Sequence, residues 1–470
     1  IERGSDEGRT GRNVFILHPR GVGLSEPSLT CSEFVASEER QVMMQSLADC
    51  YNRLLQEGRD LAGYSLDQSA IDVADLAEAL ALEQINLVGN GIGATVAQLV
   101  ADRYPALVRS IVLESPLPVG VNEALESPFG AYDALRKVFA DCSRDAACGA
   151  AYPDLESRFL EMIDWYNQNP TPASIGFGDG DAIARLVFTK LQMGGSDVPA
   201  LINALYTGDF GVACQLAPVV GGCLLPATGV SAPANAITAT TTITDSAPAL
   251  TATVEMGEAG TVDAVTPSPA APQSWRDYFT NPDNPEGAEE VTLARIQTEL
   301  GLETRAELLQ FLDSLAVENF LPLLAVTGAP AQSIASIEGT RLSIACAEDA
   351  PRYTIDDVQR ISKRLPSQMA AWLTAPAADL LETCSLWSTP PAAPGARVLP
   401  IASAPALVMA GAHDPVTPAR WARRAAADFE QVFVRIFAGA GHNLLQNPDS
   451  CAHAVLAAFV ARPDQAPNLF

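Results

Sequence analysis

The sequence predicts an α/β protein in which a mostly parallel sheet, flanked by helices, is interrupted by a large and mainly helical insertion. Three stretches predict it. In the first, the apolar residues Ile85, Leu87 and Val88 run into Gly89, Gly91 and Gly93, and Ile92 to Tyr104 then places Val96, Leu99 and Val100 at helical spacing before Pro105. In the second, Pro405 to Gly411 is an apolar strand leading to Asp414, with Thr417 and Pro418 positioned to open a helix through Arg420 and Trp421. In the third, Val432 to Phe437 reads as another strand and is followed by G-A-G-H, ending at His442.

The remaining elements follow from the same periodicities. Gln41 to Leu55 and Ser69 to Leu82 read as helices of the core, and Ile85 to Val88 as a buried strand. Helices of the insertion are expected at Phe129 to Ala140, Leu155 to Asn167, Asp181 to Met193, Thr292 to Leu300, Arg305 to Ala316 and Ile355 to Ala375. Residues 227–272 are rich in Ala, Thr, Pro, Val and Ser, carry few charges and have no helical period. They read as an extended or flexible excursion that holds strands, if any, at Ala236 to Thr244 and Leu250 to Glu255. The tail beyond Arg462, with Pro463 and Pro467, reads as frayed or docked coil. The expected division is a core part at 1–125, an insertion at 126–395 and a second core part at 396–470.

A chain of 470 residues with 48% hydrophobic content is long enough for two or three domains. A net charge of -27 argues against nucleic-acid binding and reads first as a solvated acidic surface, with cationic ligands or a saline medium as alternatives. The nine cysteines lack C-x-x-C metal spacing. Cys142 with Cys148 and Cys214 with Cys223 each bracket a small loop, Cys31 with Cys50 ties the segment after the first strand to a helix, and Cys346 with Cys384 leaves Cys451 over. That pattern points to an oxidising, extracytoplasmic compartment, although several buried free thiols would also fit it. No apolar run reaches the roughly 20 residues of a membrane helix, and no signal peptide is visible. No metal is expected, because His18, His413, His442 and His453 show neither H-x-H nor H-E-x-x-H spacing.

The chemistry concentrates at Gly89-Asn90-Gly91-Ile92-Gly93. A strand, a G-x-S-x-G turn and a helix present the attacking serine of one large class of hydrolases, and here Gly91 stands at the serine position. In that class the acid and the histidine follow the nucleophile in chain order, and Asp414 and His442 do so, each after a predicted strand. The backbone N–H of Ile92, next to Gly91, is the corresponding oxyanion donor. Each residue also has a bland reading: a glycine-rich turn, a turn or capping aspartate, a loop histidine. Gly89, Gly91 and Ala94 also satisfy G-x-G-x-x-A, which keeps a dinucleotide-binding loop as a minor alternative, but no cofactor is expected.

The chain resembles the secreted tripeptidyl-aminopeptidase and proline-iminopeptidase branch of the α/β-hydrolases. The matching stretches are N-V-F-I-L-H-P-R-G-V-G-L-S-E-P at 13–27, the glycine turn with R-Y-P-A-L-V-R-S-I-V-L-E-S-P at 103–116, D-C-S-R-D-A-A-C-G-A-A-Y-P at 141–153 and A-G-A-H-D-P-V-T-P-A-R-W-A at 410–422. The resemblance implies an α/β-hydrolase fold whose insertion is a helical cap over the active-site cleft, and a Ser-Asp-His mechanism with Asp414 as acid and His442 as base. It also implies a peptide or small-molecule ligand in the cleft between core and cap, a peptide being held at its free amino group by cap acids, for which Glu348 and Asp349 are candidates beside their reading as solvated loop acids before Pro351.

Departures from the family pattern carry as much information. His18-Pro19-Arg20-Gly21 replaces D-Q-R-G, Gly91-Ile92 replaces serine and an aromatic residue, and no H-G-G-P-G-like oxyanion loop precedes Asn13. That loop, like any signal peptide, would belong to a segment outside this sequence. A designed serine-to-glycine knockout would leave the neighbouring motif positions intact, so the changes at His18, Pro19 and Ile92 favour natural divergence. Glycine has no atom with which to form an acyl intermediate, so the chain is expected to be inactive as a covalent peptidase. Two functions remain: a secreted serine exopeptidase frame without its nucleophile, or a non-catalytic peptide-binding or assembly protein on a hydrolase fold.

Overall fold

The computed structural model describes residues 2–5, 13–23, 25–35, 37, 39–171, 176–217, 334–392, 401–446 and 451–467. Among them, β3 (Ile85–Gly91), β4 (Val108–Pro116), β5 (Ala406–Gly411) and β6 (Val432–Phe437) form a sheet in the order β3-β4-β5-β6, every neighbouring pair parallel. β1 (Glu2–Ser5) and β2 (Asn13–Ile16) pair antiparallel in a separate ribbon.

The central strands show why this sheet sits between layers. Ile111 and Leu113 of β4 pack with Ala406, Val408 and Ala410 of β5 against one face, beneath α3 (Ile92–Arg103) and α13 (Ala419–Ala426). Val112, Leu407 and Met409 point the other way, onto α14 (Ala452–Ala461). Apolar residues on both sides of one strand are the mark of a parallel sheet covered on both faces.

β3 departs from the expected buried strand: it has a single described neighbour, β4, and Val88 is 53% exposed. An apolar run alone did not distinguish a central strand from an edge strand.

Before β3 come α1 (Arg40–Gln56) and α2 (Leu66–Ala79), each near its expected place. After β4 the chain leaves the sheet through α4 (Glu123–Arg144), α5 (Ala146–Ala151), α6 (Leu155–Gln168), α7 (Gly180–Met193), α8 (Val198–Thr207) and α9 (Phe210–Leu216). It returns through α10 (Ile334–Glu348), α11 (Ile355–Ser362) and α12 (Ser367–Leu386) before β5. Helices α4 and α6 to α9, with the first turns of α12, enclose a separate apolar core around Phe159, Met162, Val187, Leu201 and Met369. These helices bury their stripes against each other rather than against the sheet, which is what allows them to form a layer of their own.

Two helix expectations change. α4 starts at Glu123, ahead of the expected Phe129, because Asn122 caps it by accepting from Leu125 N and Glu123 and Glu126 fill its first turn, so Pro128 is carried inside the helix. The single helix expected over Ile355 to Ala375 is two, α11 and α12, broken at Pro366, which has no N–H to give to a continuous helix. Helices α5, α8, α9 and α10 were not anticipated. The excursion at 227–272, its strands, and the helices expected at 292–300 and 305–316 lie outside the described residues.

Disulfides join Cys31 to Cys50, Cys142 to Cys148 and Cys346 to Cys384, as the spacing predicts. Cys214 is also disulfide-bonded, while Cys223, its expected partner, lies outside the described residues. Cys451 is a free, exposed thiol. The tail docks: Gln431 Nε2 donates to the Asp464 carbonyl at 2.8 Å. No helix among the described residues is long and apolar enough to cross a membrane.

Candidate active site

Gly91 closes β3 and caps α3 with φ 51° and ψ -116°, a conformation that side chains other than glycine seldom adopt. This is the sharp strand-to-helix turn expected of an elbow. A Cβ built at Gly91 would meet no atom within 4 Å. The three glycines differ in their reasons. A Cβ at Gly89 would lie 2.6 Å from the Gly93 carbonyl carbon and 2.7 Å from the Ala94 Cα, so Gly89 is what lets β3 and α3 approach. Gly93 has open space around its Cβ position and contributes only its backbone. Gly89→Ala is therefore expected to lower stability by about 1–3 kcal/mol through overpacking against backbone that cannot rotate away, whereas Gly93→Ala is tolerated. Chemical denaturation of the two variants separates them, and equal midpoints would contradict this assignment.

The structure brings Asp414 and His442 together. Asp414 is fully buried on the loop after β5, and His442 lies on the loop after β6 with its Nδ1 2.9 Å from Asp414 Oδ2. Asp414 Oδ1 accepts from Val416 N at 2.8 Å and Thr417 N at 2.9 Å, and Oδ2 accepts from Thr417 Oγ1 at 2.8 Å. The aspartate is thus both the turn residue of the bland reading and the partner of the histidine. With Nδ1–H donated to Asp414, the neutral ring carries its basic lone pair on Nε2, which makes no hydrogen bond among the described residues. Thr417 serves the carboxylate, and α13 begins only after Pro418.

The loop glycines have a cause as well. His442 N donates to the Gln192 carbonyl at the end of α7 at 2.7 Å, and a Cβ at Gly441 would lie 2.6 Å from the Gln192 carbonyl carbon. Close approach of α7 therefore requires glycine before the histidine. His413, next to Asp414, is 5% exposed, and its Nε2 pairs at 2.7 Å with Asp141 Oδ2 of α4, fastening the β5 loop to the helical layer.

Sequence reasoning missed a third group. Glu114, near the end of β4 and 1% exposed, accepts from Leu444 N at 2.9 Å and Ser115 Oγ at 2.7 Å with Oε1, and from Asn90 Nδ2 with Oε2. Asn90 Nδ2 also donates to Asn443 Oδ1 at 3.0 Å. The residue before Gly91 and the residue after His442 are thereby in direct contact. A carboxylate within the apolar run I-V-L-E-S-P was the available signal.

Beside the turn lies a cleft of about 570 Å³ that Ile92 shares with Glu123, Glu348 and Asp349. Ile92 is 45% exposed there, and its N–H belongs to the first turn of α3, where helical N–H groups have no intrahelical acceptor. The two acids predicted from sequence are near each other but differ. Glu348 ends α10, and its Oε1 accepts from Leu66 N, the first residue of α2, at 3.0 Å. Asp349 follows it and lies 3.4 Å from Arg352 Nη1. Glu123 joins them, open to the cleft yet walled by protein. Loss of solvent and the Asp349 carboxylate push its pKa above the ordinary carboxylate range, against the opposing charge of Arg341.

Comparisons with known proteins bear on the fold. Residues 5–148 match the family model described as alpha/beta hydrolase fold, and residues 370–467 match the model described as TAP-like protein. The protein thus has the α/β-hydrolase fold with a TAP-like C-terminal region. Over 212 residues it is 26% identical to the protein named "Putative hydrolase YuaR" of Escherichia coli (strain K12). That match spans 42% of this chain and 42% of the length of this relative.

Proposed function

We propose that this chain is the frame of an exported serine exopeptidase acting on free N-termini, with Gly91 at the nucleophile position and covalent turnover consequently negligible. The observation that carries the proposal is the Asp414–His442 pair, 2.9 Å apart on the two loops that an α/β-hydrolase uses for its acid and base, beside a turn whose Gly91 backbone suits a nucleophile. In this reading His442 Nε2 would take the proton of a hydroxyl at position 91, Asp414 would hold the ring and stabilise the imidazolium, and Ile92 N–H would donate to the oxyanion. Residues 126–395 are the cap in the proposed division, and the separate apolar core of the helical layer supports it. The disulfides support export.

The cleft acids support a ligand with a free amino group. An ammonium placed among Glu123, Glu348 and Asp349 would gain charge-assisted hydrogen bonds, and it would favour the ionised form of Glu123. Affinity for such a ligand is therefore expected to rise as the pH rises through the elevated pKa of Glu123 and to fall below it. Calorimetry with a tripeptide and its N-acetylated form tests this. The free peptide is expected to bind more tightly, and Asp349→Asn to weaken it about tenfold or more, the worth of one hydrogen bond to a charged group. Equal affinities for the free and acetylated peptides, with Asp349→Asn silent, would remove the ammonium site. The second reading, a peptide-binding or assembly protein, is favoured by glycine at position 91 itself: binding without turnover, before and after Gly91→Ser, would select it.

A further inference from the structure

We propose that Glu114 is a positioning residue that clasps the Gly91 turn to the His442 loop. The inference rests on the hydrolase reading for its purpose, but the coupling it describes is a property of the folded chain. The carboxylate is 1% exposed and gathers donors from three places: Asn90 in the turn, Leu444 in the histidine loop and Ser115 at the end of β4. Asn90 then bridges onward to Asn443. The side chain does not itself contact His442. It acts through the residues on either side of the two groups that chemistry would require in register, Asn90 next to Gly91 and Asn443 next to His442.

Backbone conformation gives this clasp something to oppose. Asn443 has φ 59° and Ser115 has φ 45°, left-handed values that cost energy for non-glycine residues and persist only where the surroundings over-determine them. Both residues belong to the Glu114 network, Ser115 through its hydroxyl and Asn443 through Asn90 and the neighbouring Leu444 N–H. Burying a carboxylate directly after the apolar run Ile111-Val112-Leu113 is costly unless its oxygens are satisfied. Here each oxygen receives at least one donor, and the donors come from segments more than 20 and more than 300 residues away in sequence as well as from next door. A neutral side chain of the same shape cannot replace it without rearrangement. In Glu114→Gln, a side-chain amide turned to accept from Leu444 N and Ser115 Oγ would point its NH2 at the Asn90 NH2, donor against donor, a conflict relieved only if the Asn90 and Asn443 amides both turn over.

The chemistry of that conflict supplies the test. In the parent chain, His442 imidazole signals are followed by nitrogen-15 histidine NMR, with four histidines present and His442 assigned by its disappearance in His442→Gln. Glu114→Gln is expected to shift and broaden the hydrogen-bonded Nδ1–H signal of His442. The double variant Glu114→Gln with Asn90→Asp is expected to restore it, because the carboxylate introduced at position 90 accepts from the amide introduced at position 114, and the Asn443 amide can turn to donate. A purely structural role would lower the melting temperature without this rescue of the His442 signal. In a Gly91→Ser background, fluorophosphonate labelling is expected to slow by about 10–100-fold with Glu114→Gln and recover in the double variant, the scale of a misplacement of about 1 Å.

Should Glu114→Gln fail to fold, Asn90→Ala removes the exposed end of the same clasp and is expected to perturb His442 in the same direction. An unchanged His442 signal in Glu114→Gln, or in Asn90→Ala where that is the variant that folds, overturns the clasp. If the His442 signal responds and is rescued while Gly91→Ser stays unlabelled, the clasp stands and the serine-hydrolase reading falls.

Discussion

Gly91→Ser is expected to convert the chain from one without covalent chemistry to one that acylates, with turnover of free-N-terminus peptides rising by as much as about 10⁶-fold over the parent. That is the scale by which removing the nucleophile lowers the kcat of a serine protease, read in reverse. The space exists, since nothing lies within 4 Å of the Cβ position. The proposed base is in place, since His442 Nδ1 lies 2.9 Å from Asp414 Oδ2, a partner that leaves Nε2 to take a proton. The cost is conformational: a serine at φ 51°, ψ -116° pays about 1–3 kcal/mol of backbone strain. The same variant should therefore be more reactive and less stable. Steady-state turnover with tripeptide anilides, beside chemical denaturation, reads both. A variant that is destabilised and silent would place the missing function elsewhere than in a single side chain.

Asp414→Asn carries the second large effect. In the Gly91→Ser background it should lower turnover by about 10⁴-fold, because an amide at this position favours the wrong imidazole tautomer. Asp414→Ala in the parent should cost about 3–5 kcal/mol of stability, since it leaves Val416 N, Thr417 N, Thr417 Oγ1 and His442 Nδ1 without their buried acceptor. The two measurements are independent, one being kinetic and the other an unfolding midpoint. Asp414→Ala unfolding at the parent midpoint would show that the hydrogen bonds to this carboxylate are replaceable by water.

What was legible in the sequence was what sterics and local pattern encode. The apolar runs at Ile85, Ala406 and Val432 became strands, and Asp414 and His442 met because each stood one loop beyond such a strand. Cys31, Cys142 and Cys346 found partners at the spacings that suggested them. What was not legible depended on neighbours remote in sequence. Val88 reads as buried because it is apolar, and only the strand order shows that β3 has one neighbour among the described residues. Asn90, Glu114 and Asn443 lie in three separate segments, and no single window contains the reason for any of them. Glu123 was hidden for another reason: Pro128 made the sequence look as though the helix began after it, whereas Asn122 caps a helix that starts before it.

The most direct measurement is the intact mass of the full chain after incubation with a fluorophosphonate, made on the parent, on Gly91→Ser and on Gly91→Ser with His442→Ala. One covalent adduct on Gly91→Ser, none on the parent, and a rate reduced to background without His442 is the result predicted for a hydrolase frame that lacks its attacking side chain at position 91. An adduct on the parent, or none on a folded Gly91→Ser, would contradict it.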